Sequence, residues 1–305
     1  MSDPARLTVD GRELRIARPE KVLFPAAGIT KLDLARYYLR VAPLMLPHLR
    51  GRPVSMERYP DGIEQEGFVQ KEVPAHFPGW IDRVTVPRKA GGETTYAVIE
   101  RAATLVYLAD QACITPHVWT SRTPRLANPD RLIFDLDPPP AAPVARVRAA
   151  TRTVVRALAR VGLAPHVLAT GKRGFHVVAA IEPDSDFDAV RALAHDLAER
   201  LARRHPDDFT VAQRRASRGE RVYIDVARNG YAQTAVPPYA VRATPRATVA
   251  VPLRPSELGQ RRTRPDRFDI GNVWRRLARL GDVWVQIEAR PATLDDVRRR
   301  LARAG

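Results

Sequence analysis

A single cysteine, Cys113, in 305 residues excludes an intrachain disulfide framework and any cysteine-rich zinc site. Its expected place is a small buried position in a reducing cytoplasm. No apolar run approaches the roughly 20 residues that a membrane span requires. The segment Met1 to Arg6 also lacks the charged-then-apolar pattern of a secretory leader. The expected setting is therefore cytoplasmic, associated with the nucleoid, with no membrane partner. Lysine is scarce: Lys21, Lys31, Lys71, Lys89 and Lys172 are the only five among fifty basic residues. Acidic residues number 34, which leaves a net charge of +16 and a pI near 10.8. Such an excess favours a polyanionic partner through counterion release, although the preference for arginine makes part of it compositional. Charge points to nucleic acid without naming a reaction.

No internal repeat is visible, and the proline-rich patches are too short to link independent domains. A short strand is expected at Leu7–Val9. A helix is expected from Lys31 to Leu46, with Thr30 as N-cap and Leu34, Tyr38, Val41 and Leu44 on its apolar side. A strand over Thr94–Ile99 leads into a helix over Ala102–Gln111, and turn-rich residues 120–130 connect to a second half. There the strand Leu132–Phe134 ends in Asp135-Leu136-Asp137, stopped by three prolines. An amphipathic helix over Pro143–Val161 follows, then strands His166–Ala169 and Phe175–Ile181, a helix over Phe187–Arg203, a strand at Arg221–Val226 and one tail helix near Pro291–Ala304. Strands alternating with helices argue for α/β, and the closely spaced pair at 166–181 reads as a hairpin. The expected fold class is therefore α/β (α+β) with mixed central sheets and flanking helices.

Asp135 and Asp137 stand two apart on one strand, so both carboxylates share a face and Leu136 points the other way. Asp225 lies in the apolar run Val222-Tyr223-Ile224-Asp225-Val226, where a charge is costly unless paired or metal-bound. Two acids from one strand and one from another suit a hard divalent cation such as Mg²⁺ or Mn²⁺. The plainer alternative is that the Asp-x-Asp pair caps the next helix or sits in a solvated turn. Between the two later strands, the turn Thr170-Gly171-Lys172-Arg173-Gly174-Phe175-His176 has glycines that permit backbone N–H groups to face an anion. Lys172 and Arg173 add charge there, and Thr170 and His176 can donate to phosphate oxygens. The turn is not a Walker loop, and a basic hairpin without a ligand is the competing reading.

Taken in order, the segments 21–31, 58–62, 68–71, 117–119, 134–138, 170–176, 224–229 and 234–243 resemble the archaeo-eukaryotic primase superfamily. In particular the chain is similar to the polymerase module of bacterial DNA ligase D, over about residues 18–260. The resemblance implies a primase-like catalytic core and a single domain, 1–305: a DNA-end-binding part (1–125), the core (126–260) and a tail (261–305). It implies that Asp135, Asp137 and Asp225 are catalytic ligands of two ions, Mn²⁺ or Mg²⁺, and that the substrate is an NTP or dNTP. Thr170, Arg173 and His176 match positions that hold the triphosphate, and Lys172, by its charge, joins them as a nucleotide-binding residue. By the same resemblance Arg218 and Arg242 are further phosphate or active-site contacts, and His117 helps hold the nucleotide, where a ribonucleotide preference can arise. Lys21 and Lys31 match lysines that grip a 5′-phosphate at a DNA end, and Phe68 and Val69 a template contact.

Val69 replaces a frequent second phenylalanine, and Glu57 stands where some relatives have lysine. Arg173 replaces a usual lysine, and Thr170 a frequent serine. The implied activity is DNA-directed addition of nucleotides to primer 3′-hydroxyls, in gap filling or end processing during non-homologous end joining. With no Lys-x-Asp-Gly adenylation motif in the sequence, Ku and a separate ligase become implied partners. Competing readings are a non-catalytic DNA-end-binding module, a two-metal nuclease and a stand-alone primase that starts primers from scratch.

Overall fold

The computed structural model describes residues 3–303, which form two units interleaved along the chain. The first holds residues up to Trp119 together with Thr234–Ala250 and Phe268–Gly281; the second holds Thr120–Gln233, Val251–Arg267 and the C-terminal segment from Asp282.

Along the chain, the first unit contributes hairpin strands β1 (Ala5–Val9) and β2 (Arg12–Ile16), then β3 (Val22–Phe24) and β4 (Ile29–Thr30). Helix α1 (Lys31–Leu49) follows, with β5 (Pro53–Arg58), β6 (Phe68–Gln70), β7 (Arg83–Pro87), β8 (Glu93–Val98), α2 (Ala102–Asp110) and β9 (Cys113–Trp119). The second unit contributes β10 (Arg131–Asp137), α3 (Val144–Arg160), β11 (His166–Ala169), β12 (Phe175–Ala180), α4 (Phe187–Arg204), β13 (Phe209–Thr210) and β14 (Val222–Asp225). Next are β15 (Thr234–Ala235) in the first unit and β16 (Val251–Leu253) in the second, and finally α5 (Val273–Leu280) in the first and α6 (Leu294–Arg303) in the second.

In the first unit the sheet order is β15-β9-β5-β8-β7, with β6 paired on β5. Helix α1 starts as expected: the Thr30 side chain accepts from the Asp33 N–H, and Asp33 accepts from the Thr30 N–H, a reciprocal cap that satisfies two N-terminal donors. It runs one turn past the expected Leu46 and accommodates Pro43 and Pro47 within its length. Helix α5 has no counterpart in the sequence reading, which gave the tail a single helix. Its eight residues carry three arginines among five apolar residues, too short a window for periodicity to stand out. Ala304, at the end of the expected tail helix, lies outside the described residues.

In the second unit the order is β13-β14-β10-β12-β11-β16, antiparallel throughout except for β13 with β14. The sheet is therefore mixed, and β11–β12 is the expected hairpin. Leu132, Phe134 and Leu136 point to one face of β10 and are fully buried with Val154 and Leu158 of α3 and Leu193 and Leu197 of α4. Burying each such side chain contributes about 1.5–3 kcal/mol. The packing fixes which face of β10 meets the helices, and period-two geometry then aims Asp135 and Asp137 away from them.

Candidate nucleotidyl-transfer site

Strand register assembles the acids. Asp135 pairs with Asp225 on one side and with His176 on the other, while Asp137 pairs with Tyr223. Directly opposed residues of antiparallel strands project to the same face, so His176, Asp135 and Asp225 form one row across three strands. Asp225 is the last residue of β14 rather than a strand-interior residue, which relieves the burial cost inferred from its apolar neighbours. Its Oδ1 accepts from the Ala227 N–H at 2.8 Å. Helix α3 has Pro143 at its N-cap and no side-chain cap. The Asp-x-Asp pair therefore does not cap that helix.

Basic side chains surround the pair. The Arg218 guanidinium donates to Asp137 at 2.9 Å, and Arg173 donates to the other Asp137 oxygen at 3.3 Å. His176 Nε2 lies 3.4 Å and Arg228 Nε 3.6 Å from the Asp135 carboxylate. Arg218 is held firmly: it also donates to the Ala212 and Gln213 carbonyls and stacks 3.8 Å over the Tyr223 ring. Burial raises the Tyr223 pKa, with the Asp225 charge adding to it. Arg228 was not singled out in the sequence, although it falls within the motif segment 224–229.

Neither was Asn229, which is fully buried. Its amide donates to the Ile133 carbonyl at 2.7 Å and accepts from the Ile133 N–H at 2.8 Å. Strand β14 has already ended at Asp225, so this side chain takes over the ladder where the backbone partner stops, and holds β10 two residues before Asp135.

The 170–176 turn is tied inward. The Thr170 hydroxyl donates to the Gly174 carbonyl at 2.7 Å, the Gly171 N–H donates to Pro265, and the Lys172 N–H donates to the Thr170 hydroxyl. The Thr170 hydroxyl thus closes the turn, and the Gly171 and Lys172 N–H groups have partners within the protein. Lys172 and Arg173 are exposed, and they supply the turn's charge. Gly174 is required sterically: a Cβ there would lie 2.0 Å from the Leu136 carbonyl oxygen, so the turn can approach the acid strand only without a side chain.

The other expected residues belong to the first unit. His117 Nε2 lies 3.0 Å from the Glu57 carboxylate, whose other oxygen accepts from the Tyr59 hydroxyl at 3.3 Å. Burial, reinforced by Glu57, raises the Tyr59 pKa, while the charge of Arg242 opposes the rise. Arg242 itself is buried, and its backbone N–H donates to the Thr248 carbonyl. Lys21 pairs with Asp61 at 2.6 Å and, through that bond, holds the Asp61 pKa below the ordinary carboxylate range.

The Lys31 N–H donates to the Lys21 carbonyl, which places the two lysines side by side. The Lys31 ammonium, however, is buried against Asp110 at 3.2 Å. This ion pair stands at the start of α1. Phe68 and Val69 are 47% and 60% exposed on β6, and the Arg58 guanidinium lies 5.5 Å over the Phe68 ring. Cys113 is buried, which pushes its thiol pKa far up.

Among the described residues no three His, Cys, Asp or Glu side chains converge as a ready-made cation cage. The oxygens of Asp135 and Asp137 face His176, Arg173, Arg218 and Arg228 instead. The donor set itself fits a hard divalent ion: three carboxylates whose backbone positions the register fixes, with no sulfur ligand beside them.

The class is thus defined as a mixed-sheet α/β protein with an acid row on the sheet face opposite the helices, ringed by guanidinium groups. Residues 30–284 match the family described as LigD, primase-polymerase domain, and the chain belongs to that family. It is 32% identical over 298 residues to the Multifunctional non-homologous end joining DNA repair protein LigD of Mycobacterium tuberculosis H37Rv, covering 94% of this chain and 39% of that protein. It is 33% identical over 246 residues to the Multifunctional non-homologous end joining protein LigD of Pseudomonas aeruginosa, covering 80% of this chain and 29% of that one. The chain therefore spans well under half the length of these relatives. A solved structure described as the polymerase domain of Mycobacterium tuberculosis ligase D in complex with DNA superposes with a TM-score of 0.85 at 31% identity, covering 91% of this chain and 99% of that one. No helix among the described residues is long and apolar enough to cross a membrane.

Proposed function

We propose that the chain is a DNA-directed nucleotidyltransferase that adds nucleotides, preferentially ribonucleotides, to a primer 3′-hydroxyl when broken or gapped DNA is repaired by end joining. The observation that carries this reading is the row His176–Asp135–Asp225, with Asp137 beside it under Arg173 and Arg218. In a member of this family, that arrangement pairs carboxylates with groups that match triphosphate oxygens. Mn²⁺ or Mg²⁺ held by Asp135, Asp137 and Asp225 would lower the pKa of the hydroxyl and neutralise charge on the phosphates.

The chain's own residues do the rest. Arg173, Lys172 and His176 hold the triphosphate and offset the charge that develops on it, and Arg218, locked by its carbonyl bonds and Tyr223, is preorganised for the same task. Thr170 keeps the turn closed. The bond from the 3′-oxygen to the α-phosphorus forms, the α–β phosphoanhydride breaks, pyrophosphate leaves, and the hydroxyl proton passes to solvent. In the first unit, His117, oriented by Glu57, and Arg242 take the nucleotide contacts. Lys21 takes the terminal 5′-phosphate with Lys31 as its buried support, and Phe68 and Val69 take the template. Ku and a DNA ligase are proposed partners on the same family grounds.

The test is extension of a 5′-phosphorylated gapped duplex in Mn²⁺ with ATP or dATP, run beside Asp137→Ala. Templated extension that favours ATP and is lost in the variant supports the proposal. Tight DNA binding by both proteins without extension by either overturns it, in favour of a non-catalytic end-binding module.

A further inference from the structure

The second unit carries a cleft that the acid row does not use. It opens on the outer side of the helical layer, between α3, α4 and α6, and has a volume of about 190 Å³. Leu136 packs against these helices while Asp135 and Asp137 point to the opposite sheet face, so the cleft and the acids lie on different sides of the same sheet. Val161, Leu197, Leu201 and Leu301 form its floor. Arg156, Arg160, Arg200 and Arg204 form its rim, and no carboxylate occurs among the described lining residues.

The cleft is built into the packing. Gly162, just past the end of α3, lies so close to Arg300 of α6 that a Cβ would sit 2.1 Å from the guanidinium. Arg200 donates to the Leu301 carbonyl at 2.9 Å, and Arg298 of α6 reaches the Ala189 carbonyl. These contacts seat α6 as one wall. Arg156 and Arg200 donate to neutral oxygens, the Thr153 hydroxyl and the Leu301 carbonyl.

We infer that this cleft docks an acidic amphipathic peptide segment of a partner protein, with one or two aliphatic side chains in the floor and carboxylates on the arginine rim. Size decides against a nucleotide or cofactor, whose sites are typically about 300–1,000 Å³. The apolar floor decides against a nucleic-acid backbone, which offers phosphate and nothing to fill a leucine-lined slot. What remains is the helix-in-groove mode, in which apolar anchors supply affinity and charges at the rim set orientation and partner choice.

The test is fluorescence polarisation with the full chain and a labelled synthetic helix of about 14 residues, with leucines on one face and glutamates on the other. Control peptides carry serine for leucine or lysine for glutamate. Saturable binding of the Leu/Glu peptide is expected. It should weaken by about tenfold or more with either control peptide and in an Arg156→Glu/Arg160→Glu protein. Ala157→Trp, which fills the cleft without changing charge, should weaken it similarly, and keeps the test valid if the double variant does not fold. Equal binding of the serine peptide, or undiminished binding by Ala157→Trp, overturns the proposal. So does an oligonucleotide that loses affinity in the arginine variant while the Leu/Glu peptide does not bind, because the rim is then a nucleic-acid surface.

Discussion

Single side chains hold the acid strand in place. Asn229 satisfies both backbone groups of Ile133 from a fully buried position. Asn229→Ala should strand them, lowering the stability of the second unit by about 2–4 kcal/mol in urea titrations. His166 carries a pH signal. Its ring packs 5.8 Å from Trp284, and burial lowers its pKa despite the hydrogen bond to Ala164. A lowered folded pKa means that the unfolded chain takes up the proton first as pH falls. The stabilisation is present above the ordinary histidine value of about 6.5 and is lost as pH drops through the lowered folded value. Melting temperatures measured from pH 7.5 to about pH 5 should therefore fall less steeply in His166→Phe than in the wild type.

Elements are set by their ends and their neighbours. The reciprocal Thr30–Asp33 cap starts α1 beside the buried Lys31–Asp110 pair. Thr30→Ala should cost about 1 kcal/mol by chemical denaturation, while leaving extension of a gapped duplex unchanged in rate. In the second unit, β10 is the element on which the proposed chemistry depends. Its even-numbered residues are fixed by α3 and α4, and its odd-numbered residues, Asp135 and Asp137 among them, are thereby committed to the opposite face.

At the scale of the whole molecule, the net charge of +16 is the dominant fact, and most of it is arginine, which stays charged at any working pH. If the chain binds gapped DNA as proposed, affinity should fall linearly in log–log form with salt, losing roughly 10³-fold or more between 50 and 200 mM if about six phosphates are contacted. A nearly flat salt response in an equilibrium binding titration would rule out that mode of binding.

The sequence determined the acid pair's shared face, the hairpin and the glycine turn, the cap at Thr30 and the buried thiol. Each follows from local periodicity or from chemistry confined to a few neighbouring residues. The motif order also carried the family resemblance. Tertiary structure decided the rest. Asp225 meets Asp135 through a register spanning 90 residues of chain, and no local pattern encodes that pairing. Arg228 and Asn229 gained roles only because β14 ends where it does. Lys31, matched by resemblance to a 5′-phosphate contact, lies buried beside Asp110, distant in sequence, at 3.2 Å. A buried lysine without that carboxylate would carry an uncompensated charge, so the partner brought in by the fold, rather than the residue type, settles what the side chain does.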